Sequence, residues 1–334
     1  MGYKRIRKIR SIPTNGAGMD IKDYRRLFST EEDAINYYLK IRYKGVITCP
    51  HCENTVNIYR YKNLQKQFHC YKCKSPFSPL HDTIFWRSHV EIRDWFFVIM
   101  SFLNDIRGVS AKNIQRDLGV SYPTAFRMLH KIREAMSNEE MKKTFQGIVE
   151  VDETYVGGKP RKYNNKEGKP IFNNKRGRGT NKVPIVGVRN RDTGEVYTQV
   201  MLPNKEGRKL SSHQLLDVIN KKTVEKATVI TDEFKAYSIL TTKGFVHLTV
   251  NHSKGQYSAG DGTHTNGIEN FWGVFKRGWI GTYSHMSIKY LQRYSNEFCF
   301  RYNFRLHKCM FDVLLGRTVI ENPELIKSSL IEAA

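Results

Sequence analysis

Four of the six cysteines form two Cys-x-x-Cys pairs, Cys49 with Cys52 and Cys70 with Cys73. The 17 residues between the pairs can form a β-hairpin that joins two tight knuckles. Two knuckles can direct four thiolates at one tetrahedral cation, whereas a redox dithiol needs only one pair. The spacing therefore predicts a zinc ribbon over residues 46–82 in which these four cysteines hold a structural Zn²⁺.

The charge of the chain indicates a polyanionic partner. Its 55 basic and 32 acidic residues leave a net charge of +23. Such a surface concentrates phosphate, which favours nucleic acid over an anionic membrane. The longest apolar run, residues 95–103, is about half of the roughly 20 residues that a membrane span needs. The basic N-terminus has no apolar segment of the kind found in a secretory signal. We therefore expect no membrane partner and a cytoplasmic, nucleoid-associated protein.

Helical patterns flank the predicted ribbon. We expect residues 1–45 to comprise a basic arm, irregular to about residue 25, and a helix over 29–43 with Ser29 or Thr30 as its N-cap. Apolar periodicity predicts a further helix over residues 91–104.

Two shorter helices, at residues 112–118 and 122–136, complete a helix-turn-helix-like domain over 88–140. Gly119 lies in the turn, and the second helix is the candidate for the major groove of DNA. An ordinary three-helix linker domain is the alternative. The side chains predicted to face DNA are Thr124, Arg127, His130 and Lys131.

The second half of the chain alternates strand and helix patterns. Strands are predicted at residues 148–156, 183–189, 195–202, 227–231 and 246–250, and helices at 209–220 and 233–241. This order predicts an α/β domain over residues 146–310, with a mixed sheet that begins as an antiparallel meander. Residues 311–334 are expected to form a C-terminal tail. Cys299 and Cys309 are expected to be plain buried thiols.

A basic segment lies between the first two of these strands. Residues 159–182 contain nine Lys or Arg and almost no apolar residues. The segment reads as a mobile insertion loop that contacts the phosphate backbone of DNA. Its candidate contacts are Lys175, Arg176 and Arg178.

Three acidic residues stand out in this basic chain. Asp152 lies in the middle of the first strand, and Asp232 follows another strand at its C-terminal edge, where open α/β sheets bind ligands. Asn266, Glu269 and Lys276 recur on one side of a predicted helix. Each carboxylate alone is more simply a helix cap or a solvated charge. Together they suit a pair of Mg²⁺ or Mn²⁺ ions that stabilises both oxygens of a phosphodiester displacement.

The order of these motifs resembles the ISXO-type (ISXO2-like) insertion-sequence transposases. The resemblance rests on VEVDETYVGGK at 149–159, GRGT at 177–180, TDE at 231–233, HTNGIENFW at 264–272 and KRG at 276–278, followed by GTY at 281–283 and FRYNFR at 300–305. It covers residues from about 30 to 310, including the ribbon.

This resemblance implies a ribonuclease-H-like catalytic domain of the DDE type that cuts the ends of a mobile element and joins their 3′ hydroxyls to target DNA. It gives Asp152 and Asp232 the role of metal ligands and leaves the third ligand to Glu269, which we favour, or to Asn266. Lys276 and Arg277 would contact DNA phosphate. A homo-oligomer is expected because two element ends must be handled together.

Two other functions fit the same sequence. A zinc ribbon, a helix-turn-helix and positive charge would also suit a non-catalytic transcription regulator in which the acidic residues are structural. A nuclease of the same fold would cut DNA without joining it.

Overall fold

The computed structural model describes residues 19–61, 66–137, 144–157, 182–203, 210–250, 263–307 and 309–319, with the backbone of Tyr163–Asn164 and Pro170–Ile171. The chain divides into two compact units, one formed by Met1–Asn138 with Phe304–Ala334 and the other by Glu139–Asn303. Within the described residues, no helix is long and apolar enough to cross a membrane.

The elements are numbered in chain order. The helices are α1 (Ile21–Leu27), α2 (Glu31–Tyr43), α3 (Ile92–Asn104), α4 (Ala111–Leu118), α5 (Tyr122–Ala135), α6 (Ser212–Lys222), α7 (Ile239–Thr242), α8 (Asn266–Gly278), α9 (Leu291–Asn303) and α10 (Met310–Gly316). The strands are β1 (Ile58–Arg60), β2 (Phe68–Cys70), β3 (Ser75–Phe77), β4 (Ile148–Val156), β5 (Tyr163–Asn164), β6 (Pro170–Ile171), β7 (Val183–Asn190), β8 (Val196–Val200), β9 (Thr228–Asp232) and β10 (Val246–Val250).

The first unit contains the ribbon and most of the helices. Strands β1, β2 and β3 form an antiparallel sheet. Helix α2 begins after Thr30 in a capping box with Asp33, and Ser110 and Ser121 cap α4 and α5. Gly119 ends α4 at φ 67°, a left-handed conformation that glycine adopts without strain. The two predicted helices of the helix-turn-helix pattern are therefore confirmed.

Two terminal segments of this unit differ from the sequence-based expectation. Residues 21–25, expected to be irregular, lie in α1 (Ile21–Leu27), because the Asp20 side chain accepts a hydrogen bond from the Asp23 N–H and Tyr24 packs into the core. Residues 310–316, expected to lie at the domain end and in a tail, form α10. Its apolar side chains recur at helical spacing. The ring of Phe311 packs edge-on against that of Phe96, with the ring centroids 5.4 Å apart.

The second unit is built on a five-stranded sheet with the order β10-β9-β4-β7-β8. Strand β4 is central, antiparallel to β7 and parallel to β9. Strand β8 continues the antiparallel part, and β10 is parallel to β9. The predicted mixed sheet, with its opening antiparallel meander, is confirmed. This is a ribonuclease-H-like arrangement.

The side chains of β4 alternate between two cores. Val149 and Val151 pack with residues of α6 and with Tyr237, while Val156 packs with Ile268 and Trp272 of α8. Glu150 and Asp152 lie on the α8 side of the strand, since successive side chains point to opposite faces. Gly187 of β7 pairs with Asp152 of β4. A Cβ atom at Gly187 would lie 2.6 Å from Cζ2 of Trp272. This glycine therefore lets α8 pack directly on the sheet beside Asp152.

Candidate active site and metal centres

The four cysteines of the ribbon converge on one point. Their sulfur atoms all lie within 4.8 Å of one another, and the Cys49–Cys73 and Cys52–Cys70 pairs are both separated by 3.7 Å. Four sulfurs at about 2.3 Å from a tetrahedral zinc ion stand roughly 3.8 Å apart. The cluster therefore fits a structural Zn²⁺, with all four ligands as predicted from their spacing.

Hydrogen bonds within the ribbon shape its first knuckle and stabilise the thiolate of Cys70. The Cys49 N–H donates to the Asn54 carbonyl oxygen and the Glu53 N–H to the Cys49 carbonyl oxygen, which closes the first knuckle. The backbone N–H of Cys73 is the main group that lowers the pKa of the Cys70 thiol, to about 6. The Asn54 side chain donates to the same sulfur at 3.6 Å. These donors favour the thiolate, which is the form that binds zinc.

A second cluster lies at the C-terminal ends of β4 and β9. Parallel pairing joins Ile148 to Thr228 and Glu150 to Ile230, an offset of 80 residues. The same offset brings Asp152 next to Asp232. One carboxylate oxygen from each of these residues and from Glu153 lies within 4.8 Å of the other two. The sheet therefore brings together the two aspartates that the sequence indicated.

Glu153 was not among the predicted site residues. Strand alternation assigns it to the face opposite Asp152, so the sequence pattern gave no reason to choose it. Its Oε2 atom accepts a hydrogen bond from the hydroxyl of Tyr237 at 3.0 Å. Tyr237 is fully buried, and burial raises the pKa of its phenol well above the ordinary value. The phenol therefore remains a donor that holds Glu153 beside the two aspartates.

The third expected ligand lies on α8. The Glu269 carboxylate is outside the tight group of three, and its Oε1 atom accepts a hydrogen bond from the Thr265 hydroxyl at 2.8 Å. Its charge is close enough to act on Asp152. Asn266, the first residue of α8, is exposed, as are Lys276 and Arg277 in its last turn. The structure thus places Glu269 near the aspartates and leaves all four side chains of α8 accessible.

Asp152 shows the electrostatic character of this cluster. Burial raises the pKa of its carboxyl to about 7, and the negative charges of Glu153, Asp232 and Glu269 act in the same direction. Hydrogen bonds from the backbone N–H of Glu153 to Asp152 and from that of Phe234 to Asp232 oppose the repulsion. Crowded carboxylates of this kind are stabilised by a divalent cation, and hard oxygen donors suit Mg²⁺ or Mn²⁺.

The predicted DNA-facing residues of α5 divide into two groups. Arg127 is exposed, and Thr124 is partly exposed with its hydroxyl 2.9 Å from that of Ser121. His130 was predicted to be exposed and is instead buried against Phe126, with ring centroids 4.3 Å apart.

Lys131 also turns inward. Its ammonium donates to the carbonyl oxygens of Ile84 and Trp86, and burial lowers its pKa. The apolar face of α5 is wider than the sequence pattern indicated, which explains both corrections.

Two further expectations have different outcomes. Lys175, Arg176 and Arg178, with most of the basic segment at 159–182, lie outside the described residues. Cys299 is buried as expected, but Cys309 is exposed at the start of α10. Trp272, on the helix of Glu269, is 2% exposed and packs in the core.

Sequence comparisons identify the two parts of the chain. The family described as "ISXO2-like transposase domain" matches residues 144–303, and the family described as "Transposase zinc-ribbon domain" matches residues 29–75. A protein in transposable element ISH50 of Halobacterium salinarum is 28% identical over 283 residues, which cover 83% of this chain and 92% of that protein.

Solved structures give weaker likenesses. The Mos1 transposase paired-end complex with its left transposon end matches at 12% identity and a TM-score of 0.26, covering 68% of this chain and 80% of that one. A simian T-cell lymphotropic virus intasome matches with the same identity and TM-score, covering 57% of this chain and 63% of that one. Similarity at this level carries no argument, so the assignment rests on the sequence families and the sheet topology. The chain belongs to the ISXO2-like family of insertion-sequence transposases, with an N-terminal zinc ribbon.

Proposed function

We propose that this transposase is a DDE enzyme that hydrolyses a phosphodiester bond at each end of its element and joins the 3′ hydroxyl to target DNA. The observation that carries the proposal is the meeting of Asp152 and Asp232 at adjacent strand ends, with Glu269 on the helix beside them. Carboxylates forced together at this edge of the sheet suit a metal-dependent displacement better than a structural role.

The donor set fits Mg²⁺ or Mn²⁺. When bound, a pair of these ions would stabilise the attacking and leaving oxygens of an in-line displacement. Asp152 and Asp232 would hold the metal, and Glu153 offers a third oxygen from the same cluster. Glu269 is our choice for the ligand from α8, because its charge acts on Asp152, whereas Asn266 remains the alternative.

Other residues would bind DNA around this centre. Lys276 and Arg277 are exposed in the last turn of α8, where they can contact phosphate. In the first unit, Arg127 and Thr124 of α5 are the accessible candidates for a DNA groove. The basic segment at 159–182 would add phosphate contacts, including Lys175, Arg176 and Arg178. We further propose that the protein acts in the cytoplasm, on the nucleoid, as a homo-oligomer that pairs two element ends.

The proposal is tested with duplex DNA that carries the element's own terminal repeat, in the presence of Mg²⁺. Asp152→Asn and Asp232→Asn should each reduce strand cleavage by about 10³-fold or more, since metal stabilisation of the transition state contributes several kcal/mol. Binding of the same duplex should persist. Asp217→Asn, on the exposed face of α6, is the matched control and should cleave like the wild type.

Mg²⁺-dependent cleavage that survives in either active-site variant would overturn the proposal. Cleavage without joined products, under conditions that favour strand transfer, would instead identify a nuclease of the same fold. Specific duplex binding with no cleavage by the wild type would favour the non-catalytic regulator.

A further inference from the structure

Glu150 is a fully buried carboxylate two residues before Asp152 on the same side of β4. We propose that Glu150 is a positioning residue that fixes Glu269 relative to Asp152. The inference rests on the proposed metal-dependent function and concerns how the third carboxylate is placed.

The contacts of Glu150 join the strand of the first carboxylate to the helix of the third. Its Oε2 atom accepts a hydrogen bond from the backbone N–H of Ile268 at 2.8 Å. Ile268 immediately precedes Glu269 in the first turn of α8. A carboxylate at a helix N-terminus also interacts favourably with the helix dipole. One rigid strand therefore carries both Asp152 and the group that anchors the start of α8.

Two arginines from β7 and the turn after it surround the same carboxylate. Its Oε1 atom lies 3.3 Å from Nη1 of Arg189 and 3.1 Å from Nε of Arg191. Arg191 also donates to the carbonyl oxygen of His264 at 2.6 Å, and the His264 ring is 3.7 Å from Glu150. The chain that enters α8 is thus held at His264 as well as at Ile268.

The backbone of α8 is fitted closely to this network. A Cβ atom at Gly267 would overlap Nη1 of Arg189 and lie 2.6 Å from Oε2 of Glu150. Further along the helix, Trp272 packs against Gly187, which pairs with Asp152 in the sheet. The helix therefore has little room to shift or rotate, which a ligand on its first turn requires.

A purely structural role would not require this arrangement. Replacing a buried ion pair with well-packed apolar residues is often neutral or stabilising. What a charged carboxylate adds is a directional bond to one particular N–H, adjacent to Glu269. Groups that orient metal ligands in this way typically change metal affinity by roughly 10-fold to 100-fold when they are removed.

The test measures binding of Mn²⁺ alone to the full chain by electron paramagnetic resonance titration, with thermal unfolding recorded in parallel. Glu150→Gln should bind Mn²⁺ at least about 10-fold more weakly than the wild type. The matched control is Glu297→Gln. Glu297 is also fully buried and is paired with Arg301 at 2.7 Å, but it lies on α9 and accepts a hydrogen bond from the Tyr283 hydroxyl. It should lower the melting temperature without changing Mn²⁺ affinity.

Gly267→Ala provides a second route to the same displacement, because its methyl group pushes on Arg189 and Glu150 from the helix side. It should weaken Mn²⁺ binding as Glu150→Gln does, and it decides the matter where Glu150→Gln fails to fold. Wild-type affinity in a folded Glu150→Gln or Gly267→Ala protein overturns the inference. An equal loss in Glu297→Gln would show that general destabilisation is the cause. If Asp152→Asn binds Mn²⁺ like the wild type, the proposed metal site itself is wrong.

Discussion

The ribbon cysteines and the carboxylate cluster are both candidate metal sites, but they are assembled in opposite ways. The four cysteines lie within residues 49–73 and meet through two short knuckles and a small sheet. Asp152 and Asp232 are 80 residues apart and meet only because β4 and β9 pair in parallel. Local chain geometry makes the first site, whereas the packing of a whole domain makes the second.

The electrostatics of the two sites also differ. Backbone and Asn54 donors lower the pKa of Cys70 to about 6, which favours its thiolate before metal binds, whereas burial and the other three thiols raise the pKa of Cys52 to about 12. Burial and neighbouring carboxylates raise the pKa of Asp152 to about 7. The ribbon is built from three short strands around the cysteines, whereas the surrounding domain holds the carboxylates together against their own repulsion. Removing metal should therefore affect the two sites very differently.

The largest expected difference is in folding. A structural zinc contributes about 10–16 kcal/mol of apparent binding free energy in small zinc-dependent folds. Cys49→Ser, or treatment with a strong zinc chelator, should release zinc and make the ribbon sensitive to protease near residues 46–82. Removing Mg²⁺ should stop cleavage and leave the ribbon and the five-stranded sheet intact. Zinc content by atomic absorption and limited proteolysis measure both effects, and a ribbon that stays protected without zinc would contradict the comparison.

A smaller effect is expected where the carboxylate site depends on distant packing. Gly187→Ala would place a methyl group 2.6 Å from Cζ2 of Trp272 and 2.9 Å from Cδ1 of Ile268. Overpacking of this kind costs typically about 1–3 kcal/mol of unfolding free energy. The variant should unfold at lower denaturant concentration and cleave DNA more slowly, with its zinc content unchanged. A matched change at Gly119, where a Cβ would meet nothing within 4 Å, should leave cleavage alone and affect only the left-handed turn before α5.

The same contrast explains how much the sequence could predict. Cysteine spacing gave all four zinc ligands, and strand periodicity gave Asp152 and Asp232, because those patterns are local. Glu153 and Glu150 were not predicted as site residues. Their roles depend on Tyr237 and on Ile268, which lie 84 and 118 residues away along the chain. His130 and Lys131 were assigned to the wrong face for a related reason, since only packing shows how wide the buried face of α5 is.

The raised pKa of Asp152 predicts an unusual pH dependence of stability. Between the ordinary value of 3.8 and about 7, the folded state binds more protons than the unfolded state, so stability falls as pH rises through this window. Asp152→Asn removes that penalty. In the absence of metal, the variant should melt above the wild type at pH 8, by about 2–4 °C for each kcal/mol of that penalty, and the difference should vanish near pH 4.

Saturating Mg²⁺ at pH 8 should reverse this order, because only the wild type then gains stability from binding. Asp217→Asn, an exposed change on α6, controls for the loss of one negative charge and should show no such pH dependence. A variant that melts below the wild type in metal-free buffer at pH 8 would mean that Asp152 is not strained by its neighbours. The charged form of Asp152 would then be favoured before metal binds, as the thiolate of Cys70 is.

The smallest effect is expected from side chains that donate hydrogen bonds to the candidate metal ligands. Tyr237→Phe removes the hydroxyl that donates to Glu153 at 3.0 Å, and Asn54→Ala removes the amide that donates to Cys70 at 3.6 Å. A single hydrogen bond contributes about 0.5–1.5 kcal/mol, so Tyr237→Phe should weaken Mn²⁺ binding by about 2-fold to 10-fold. Asn54→Ala should leave one zinc per chain, because four sulfurs bonded directly to the ion would hold it far more tightly than that donor does. Titration of Mn²⁺ and metal analysis of the purified variants measure the two outcomes. Zinc loss in Asn54→Ala with unchanged Mn²⁺ affinity in Tyr237→Phe would invert the comparison, since the ribbon would then be the site that depends on its surroundings.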